Sequence, residues 1–187
     1  MKVAFDYDDV IADFMGRVIQ TVNKEYGSSL SEDDFASWDL SETLDAVIGH
    51  DWWEWWEKRP WLWGHVDAID GAIGGLETLH REGHYIEIVT AKPDWARVPF
   101  NRWLHAWNPY YDAIIIGEAR PPMKKHWVSE AKLLIDDKPG NVRDWIASSS
   151  LRGGLLFARP HNRSEREEFE VANDWKEVVA WVRSYAS

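Results

Sequence analysis

The 187-residue chain contains no cysteine, which removes disulfides, thiolate catalysis and cysteine-ligated zinc from consideration. Positive charge is scarce: 21 Lys and Arg stand against 32 Asp and Glu, for a net charge of −11. A sequence-independent grip on a nucleic-acid backbone needs a basic surface, so no stable nucleic-acid complex is expected. Long apolar runs are missing as well. None approaches the roughly 18 residues of a membrane span, and no basic start with an apolar stretch and small-residue cleavage site is present. The expectation is a soluble cytoplasmic protein with no membrane association. At 45% hydrophobic residues the chain can still bury one core, with room for a smaller insert.

Five short apolar runs punctuate the sequence: Lys2 to Phe5, Tyr85 to Val89, Ala113 to Ile116, Leu133 to Ile135 and Leu155 to Phe157. The segments between them carry helical spacing, as at Ile73, Leu76 and Leu79. Such alternation predicts an α/β fold, a Rossmann-like parallel sheet flanked by helices. The interval from Phe5 to Tyr85 is far longer than one crossover helix requires. It predicts a small helical cap inserted after the first strand, residues 15–68, with the α/β core formed by 1–14 and 69–187. Helices are expected over 11–26, 41–48 and 51–58, separated by Tyr26-Gly27-Ser28-Ser29 and the Arg59-Pro60 junction.

Chemistry gathers where the runs end. The first delivers Asp6-Tyr7-Asp8, the second Thr90-Ala91-Lys92 and the fourth Asp136-Asp137-Lys138. In an open parallel sheet the ligand crevice lies beyond the carboxyl ends of the strands, so these groups converge. Clustered carboxylates at such a point demand a cation, and an all-oxygen donor set suits Mg²⁺. The set is that of phosphoryl transfer to a carboxylate. Asp6 would attack phosphorus, and Asp8 would protonate the leaving oxygen and later deprotonate water. Thr90 and a lysine would hold the phosphoryl oxygens.

The ordered set Asp6-x-Asp8-x-Val10, Thr90, a lysine before the fourth run, and Asp136-Asp137 after it resembles the haloacid dehalogenase superfamily of phosphatases. Within it the chain is similar to the 5′(3′)-deoxyribonucleotidase family, through Asp6 to Phe14, Asp70-Gly71-Ala72, Leu133 to Lys138, His161-Asn162-Arg163 and Asn173 to Val178. The likeness spans nearly the whole chain outside the middle of the insert. It implies a phosphoric monoester hydrolase acting on (deoxy)ribonucleoside monophosphates through an aspartyl-phosphate on Asp6, with Asp8 as acid and base. Mg²⁺ would be held by Asp6, the carbonyl of Asp8 and Asp137, with Asp136 supporting. Phosphate would be bound by Thr90, Lys125 and Lys92, the last standing in for the hydroxyl lost where Ala91 replaces the family's serine. Lys124 beside Lys125 is the other candidate for the third-motif lysine. A small-molecule nucleotide is the implied partner, and a homodimer is compatible with the resemblance. Asp9 departs from the pattern, occupying a position usually held by glycine.

Each motif alone has a plainer reading. Asp-x-Asp after a strand is often a turn or a helix cap, and Thr90 could be strand-end punctuation. Only their coincidence in order favours catalysis. Another small phosphomonoester, a polynucleotide 3′ end, or a non-catalytic nucleotide-binding module stay open as alternatives. Of the 14 tryptophans, Trp52, Trp53, Trp55 and Trp56 form an oversized apolar helix face suited to packing. Trp61 falls where the resemblance places an aromatic over the substrate, and is the candidate base-binding residue.

Overall fold

The computed structural model describes residues 1–35, 37, 39–117 and 130–185. Six parallel strands form one sheet: β1 (Lys2–Asp6), β2 (Tyr85–Ala91), β3 (Ala113–Gly117), β4 (Leu133–Asp136), β5 (Gly153–Phe157) and β6 (Glu170–Ala172). Their order is β3-β2-β1-β4-β5-β6, the doubly wound arrangement in which direction reverses on either side of β1. The register pairs Asp6 with Val89, and Phe5 with Ile135, so the ends of β1, β2 and β4 lie at one level. The five apolar runs coincide with β1 to β5. The sixth strand escapes the periodicity because three residues, Glu170-Val171-Ala172, are too few to establish one.

Among the described residues seven α-helices accompany the sheet: α1 (Phe14–Tyr26), α2 (Ser41–Ile48), α3 (Trp52–Glu57), α4 (Ala72–Arg81), α5 (Arg97–Trp107), α6 (Pro139–Ala147) and α7 (Trp175–Ser184). Helix α1 begins at Phe14, three residues later than the sequence pattern suggests. The intervening residues form a tight turn in which the Tyr7 carbonyl accepts from the N–H groups of both Ile11 and Ala12. Asp9, ahead of these residues, occupies the left-handed region at φ 57°. The end of α1 is set by Gly27, left-handed at φ 67°, whose N–H closes on the Asn23 carbonyl. Helix α3 starts where Asp51 accepts from the N–H groups of Trp53 and Glu54.

Trp175 joins the first and last elements of the core. Its ring stacks on Phe5 at 5.4 Å and its indole N–H donates to the Val10 carbonyl at 2.8 Å, fixing the turn that follows β1. It lies directly on α4 at Gly75, where an added Cβ would meet the ring at 2.4 Å. Gly75→Ala therefore forces the indole off Phe5, and a loss of about 1–3 kcal/mol is expected in denaturant titration.

Tryptophan clusters in the segment between β1 and β2. Trp55, Trp56 and Trp63 are buried, and Phe14 packs edge-on against Trp56 at 4.9 Å and stacks with Trp63 at 4.6 Å. These rings join Met15, Val18, Leu44 and Leu62 in one apolar cluster continuous with Val3 and Phe5 of β1. Trp53 is 38% exposed, so the α3 tryptophans divide between packing and surface, and Trp61, beyond α3, is 50% exposed.

Candidate active site

The carboxyl ends of β1 and β4 bring Asp6, Asp136 and Asp137 together, with a carboxylate oxygen from each within 4.8 Å of the others. All three residues are buried. Three carboxylates in low dielectric repel one another strongly, and hard oxygen donors of this kind fit a divalent cation such as Mg²⁺. Each carboxylate is oriented by a different device. Asp6 accepts from the N–H of Tyr7 at 2.7 Å. Asp136 accepts from the Lys138 N–H at 2.9 Å, and Asn141 Nδ2, at the start of α6, donates to its two oxygens at 3.0 and 3.2 Å. Asp137 meets His161 Nε2 at 2.8 Å, while Asn162 donates to its carbonyl at 2.8 Å.

His161 is almost fully buried beside this cluster. Burial pulls its imidazole toward lower proton affinity, but the hydrogen bond and charge of Asp137, with the Asp9 charge, outweigh it and raise the pKa above the ordinary value. A histidine that holds a carboxylate ligand from behind fixes the direction of that ligand's lone pairs.

Asp8 lies two residues beyond Asp6, past the end of β1, its side chain 24% exposed. Both of its oxygens lie 2.6 Å from Lys92 Nζ, and Thr90 Oγ1 is 3.4 Å away. The Lys92 side chain is completely buried. Its ammonium lies 3.2 Å from the Trp63 ring centroid and 4.5 Å from that of Tyr7, with Phe100 and Phe14 at 5.7 and 5.9 Å. An aromatic cage of this sort compensates part of the cost of burying a cation, and the Asp8 carboxylate compensates more.

Asp9 turns its carboxylate inward, accepting from the Met15 N–H at 2.9 Å. Burial, with the Asp137 charge adding, pushes its pKa up to about 7 against the opposing pull of Arg159, His161 and the Met15 N–H. Arg159 Nη2 reaches Asp13 at 2.6 Å, Glu32 at 3.1 Å and Asp9 at 3.4 Å.

Of the residues the sequence singles out, Asp6, Asp136 and Asp137 form one cluster, and Asp8, Thr90 and Lys92 a second group joined to it through β1. Lys124 and Lys125 lie outside the described residues. Trp61 stands against His65 at 5.8 Å between ring centroids, whereas Trp63 touches this group through Lys92. Sequence reasoning passed over Trp63, Asn141 and Arg159, and left His161 unassigned. A clue to His161 was its place in the His161-Asn162-Arg163 tail.

Comparison with known proteins supplies the family. The profile described as 5′ nucleotidase, deoxy (Pyrimidine), cytosolic type C protein matches residues 1–185. The chain is 23% identical to the 5′(3′)-deoxyribonucleotidase of Bacillus subtilis, over 94% of this chain and 95% of that one. Its fold is similar to that of a HAD family hydrolase from Deinococcus radiodurans, solved with bound phosphate and sodium, at a TM-score of 0.68, 16% identity and 99% and 96% coverage of the two chains. A HAD-superfamily hydrolase from Ehrlichia chaffeensis matches with a TM-score of 0.57, 14% identity and 100% and 97% coverage. With the profile match covering all but its last two residues, the chain belongs to this 5′ nucleotidase family, phosphoric monoester hydrolases built on the haloacid dehalogenase fold.

Proposed function

We propose that the chain is a Mg²⁺-dependent phosphatase of (deoxy)ribonucleoside monophosphates that works through an aspartyl-phosphate on Asp6. The observation that carries this reading is the buried convergence of Asp6 with Asp136 and Asp137 beside an Asp8 held by Lys92 and Thr90. Asp6, Asp136 and Asp137, together with the Asp8 carbonyl, would hold the ion. Bound there, Mg²⁺ supplies neutralisation of the phosphoryl charge.

In the first half-reaction an Asp6 oxygen bonds to phosphorus, the ester P–O bond breaks, and Asp8 gives a proton to the leaving nucleoside oxygen. In the second, Asp8 takes a proton from water as its oxygen bonds to phosphorus, and the Asp6–phosphorus bond breaks to release inorganic phosphate. Lys92 serves both steps. Its ammonium pairs with the Asp8 carboxylate before substrate arrives. As the phosphate enters, the ammonium passes to a phosphoryl oxygen and Asp8 takes up a proton from solvent, the proton it then gives to the leaving oxygen and regains from water in the second step. Thr90 donates its hydroxyl to the same anion, and Lys125 supplies a further charge. Residues 15–68 act as the cap that covers the core of 1–14 and 69–187, with Trp61 as the stacking surface for the base.

The test is phosphate release from a panel of ribo- and deoxyribonucleoside monophosphates, sugar phosphates and 3′-phosphorylated oligonucleotides, each with Mg²⁺ and with excess EDTA. Nucleotides are expected to be the best substrates, with activity lost in EDTA and restored by added Mg²⁺. Hydrolysis of sugar phosphates alone, or release that EDTA leaves intact, overturns the reading.

A further inference from the structure

Asp9 is an expensive residue for its position. Its φ of 57° is one that a side chain opposes, and the residue is 5% exposed, with the Asp137 charge acting against its carboxylate. Glycine would adopt this backbone without either cost. The turn it occupies follows Asp8 directly, so the same peptide units determine where the Asp8 carbonyl points. That turn is held by the Asp9 N–H to the Ala12 carbonyl at 2.7 Å and by the Asp9 carboxylate to the Met15 N–H.

The compensating group is Arg159. It arrives from the segment after β5, where its own N–H donates to Asn162 at 3.1 Å and its carbonyl accepts from Arg166 at 2.7 Å. Its guanidinium contacts Asp9 within the turn, Asp13 just after it, and Glu32 beyond α1. One nitrogen, Nη2, makes all three contacts, to Asp13 at 2.6 Å, Glu32 at 3.1 Å and Asp9 at 3.4 Å, so its charge is shared among the three carboxylates. The segment also carries His161 to Asp137, so one stretch of chain fixes both a carboxylate ligand and the turn beside the Asp8 carbonyl.

We propose that Arg159 is a positioning residue for the metal site: by pairing with Asp9 it holds the turn after β1 in its left-handed form and so aims the Asp8 carbonyl at the ion. The inference rests on the reading of Asp8 as a metal ligand given above. It makes a specific claim, that Arg159 matters because Asp9 is an aspartate.

Calorimetric titration of the full chain with Mg²⁺, in the absence of substrate, tests it. Arg159→Gln is expected to weaken Mg²⁺ binding about fivefold or more when residue 9 is Asp, and by less than about twofold in the Asp9→Gly background, a non-additivity typical of residues in contact. Equal losses in the two backgrounds overturn the proposal, because the effect of Arg159 would then run through Asp13 and Glu32. No loss in either background also overturns it. If Arg159→Gln does not fold, Arg159→Lys is put through the same pair of titrations, with a smaller loss confined to the Asp9 background expected. Failure of the wild-type chain to hydrolyse any nucleotide while still binding Mg²⁺ would refute the nucleotidase reading and leave this inference standing. Failure to bind Mg²⁺ would refute both.

Discussion

Asp6→Asn is expected to abolish turnover, lowering kcat by about 10⁴-fold or more, while leaving the fold intact. The amide keeps the shape of the carboxylate, but it cannot bond to phosphorus as an anionic nucleophile. Stability should not fall, because one of three buried mutually repelling carboxylates has been neutralised. The combination is diagnostic: a structural aspartate would lose stability together with activity, whereas a nucleophile loses activity alone. Far-ultraviolet circular dichroism and a denaturant midpoint at or above that of the wild type, together with phosphate release below about 10⁻⁴ of its rate, would satisfy the account. Retention of even a tenth of wild-type turnover would remove Asp6 from the nucleophile role.

Lys92→Met is expected to have the second largest effect, and here activity and stability should fall together. The methionine fills the apolar space among Trp63, Tyr7, Phe100 and Phe14, so little packing is lost. What is lost is the ammonium that lies 2.6 Å from both Asp8 oxygens. Removing one member of a buried ion pair leaves the other uncompensated, which costs about 3 kcal/mol in stability. The Asp8 side chain is 24% exposed and can recruit water, which places the expected loss at the lower end of the range for such pairs. On activity, the loss of a positioned cation for the phosphoryl oxygens costs about 10²-fold or more in kcat. Lys92→Arg should not rescue, because a planar guanidinium is too large for a cage that closes to 3.2 Å on Trp63. A Lys92→Met protein with unchanged kcat would show that the lysine only packs the junction.

The legible part of this protein is the part that adjacency in sequence encodes. Asp6 and Asp8, Thr90, and Asp136-Asp137 each stand immediately after a buried apolar run, and a parallel sheet must bring such strand ends to one edge. The long interval before β2 likewise signals helices between the two strands, where α1, α2, α3 and α4 lie. Residues that reach the site through tertiary packing gave no comparable signal. Lys92 could have been a surface lysine, and only the assembled rings of Tyr7, Phe14, Trp63 and Phe100 show why its charge is buried. His161 and Arg159 come from a 3₁₀ segment and the residue before it, where no periodicity distinguishes an inward side chain from an outward one. Asp9 illustrates the converse. The sequence marks it as anomalous, while its partners, Met15 and Arg159, emerge only when the turn is folded.

The central claim is that Asp6 carries the phosphoryl group during turnover. Wild-type and Asp6→Asn chains can be mixed with a deoxyribonucleoside monophosphate labelled at phosphorus, in the presence of Mg²⁺, and quenched in acid over a series of short times. The account predicts label retained by the wild-type polypeptide as an alkali-labile acyl phosphate on the peptide containing Asp6, and none on Asp6→Asn. Continued phosphate release by the wild type with no labelled protein at any quench time, or label that persists in Asp6→Asn, would contradict it.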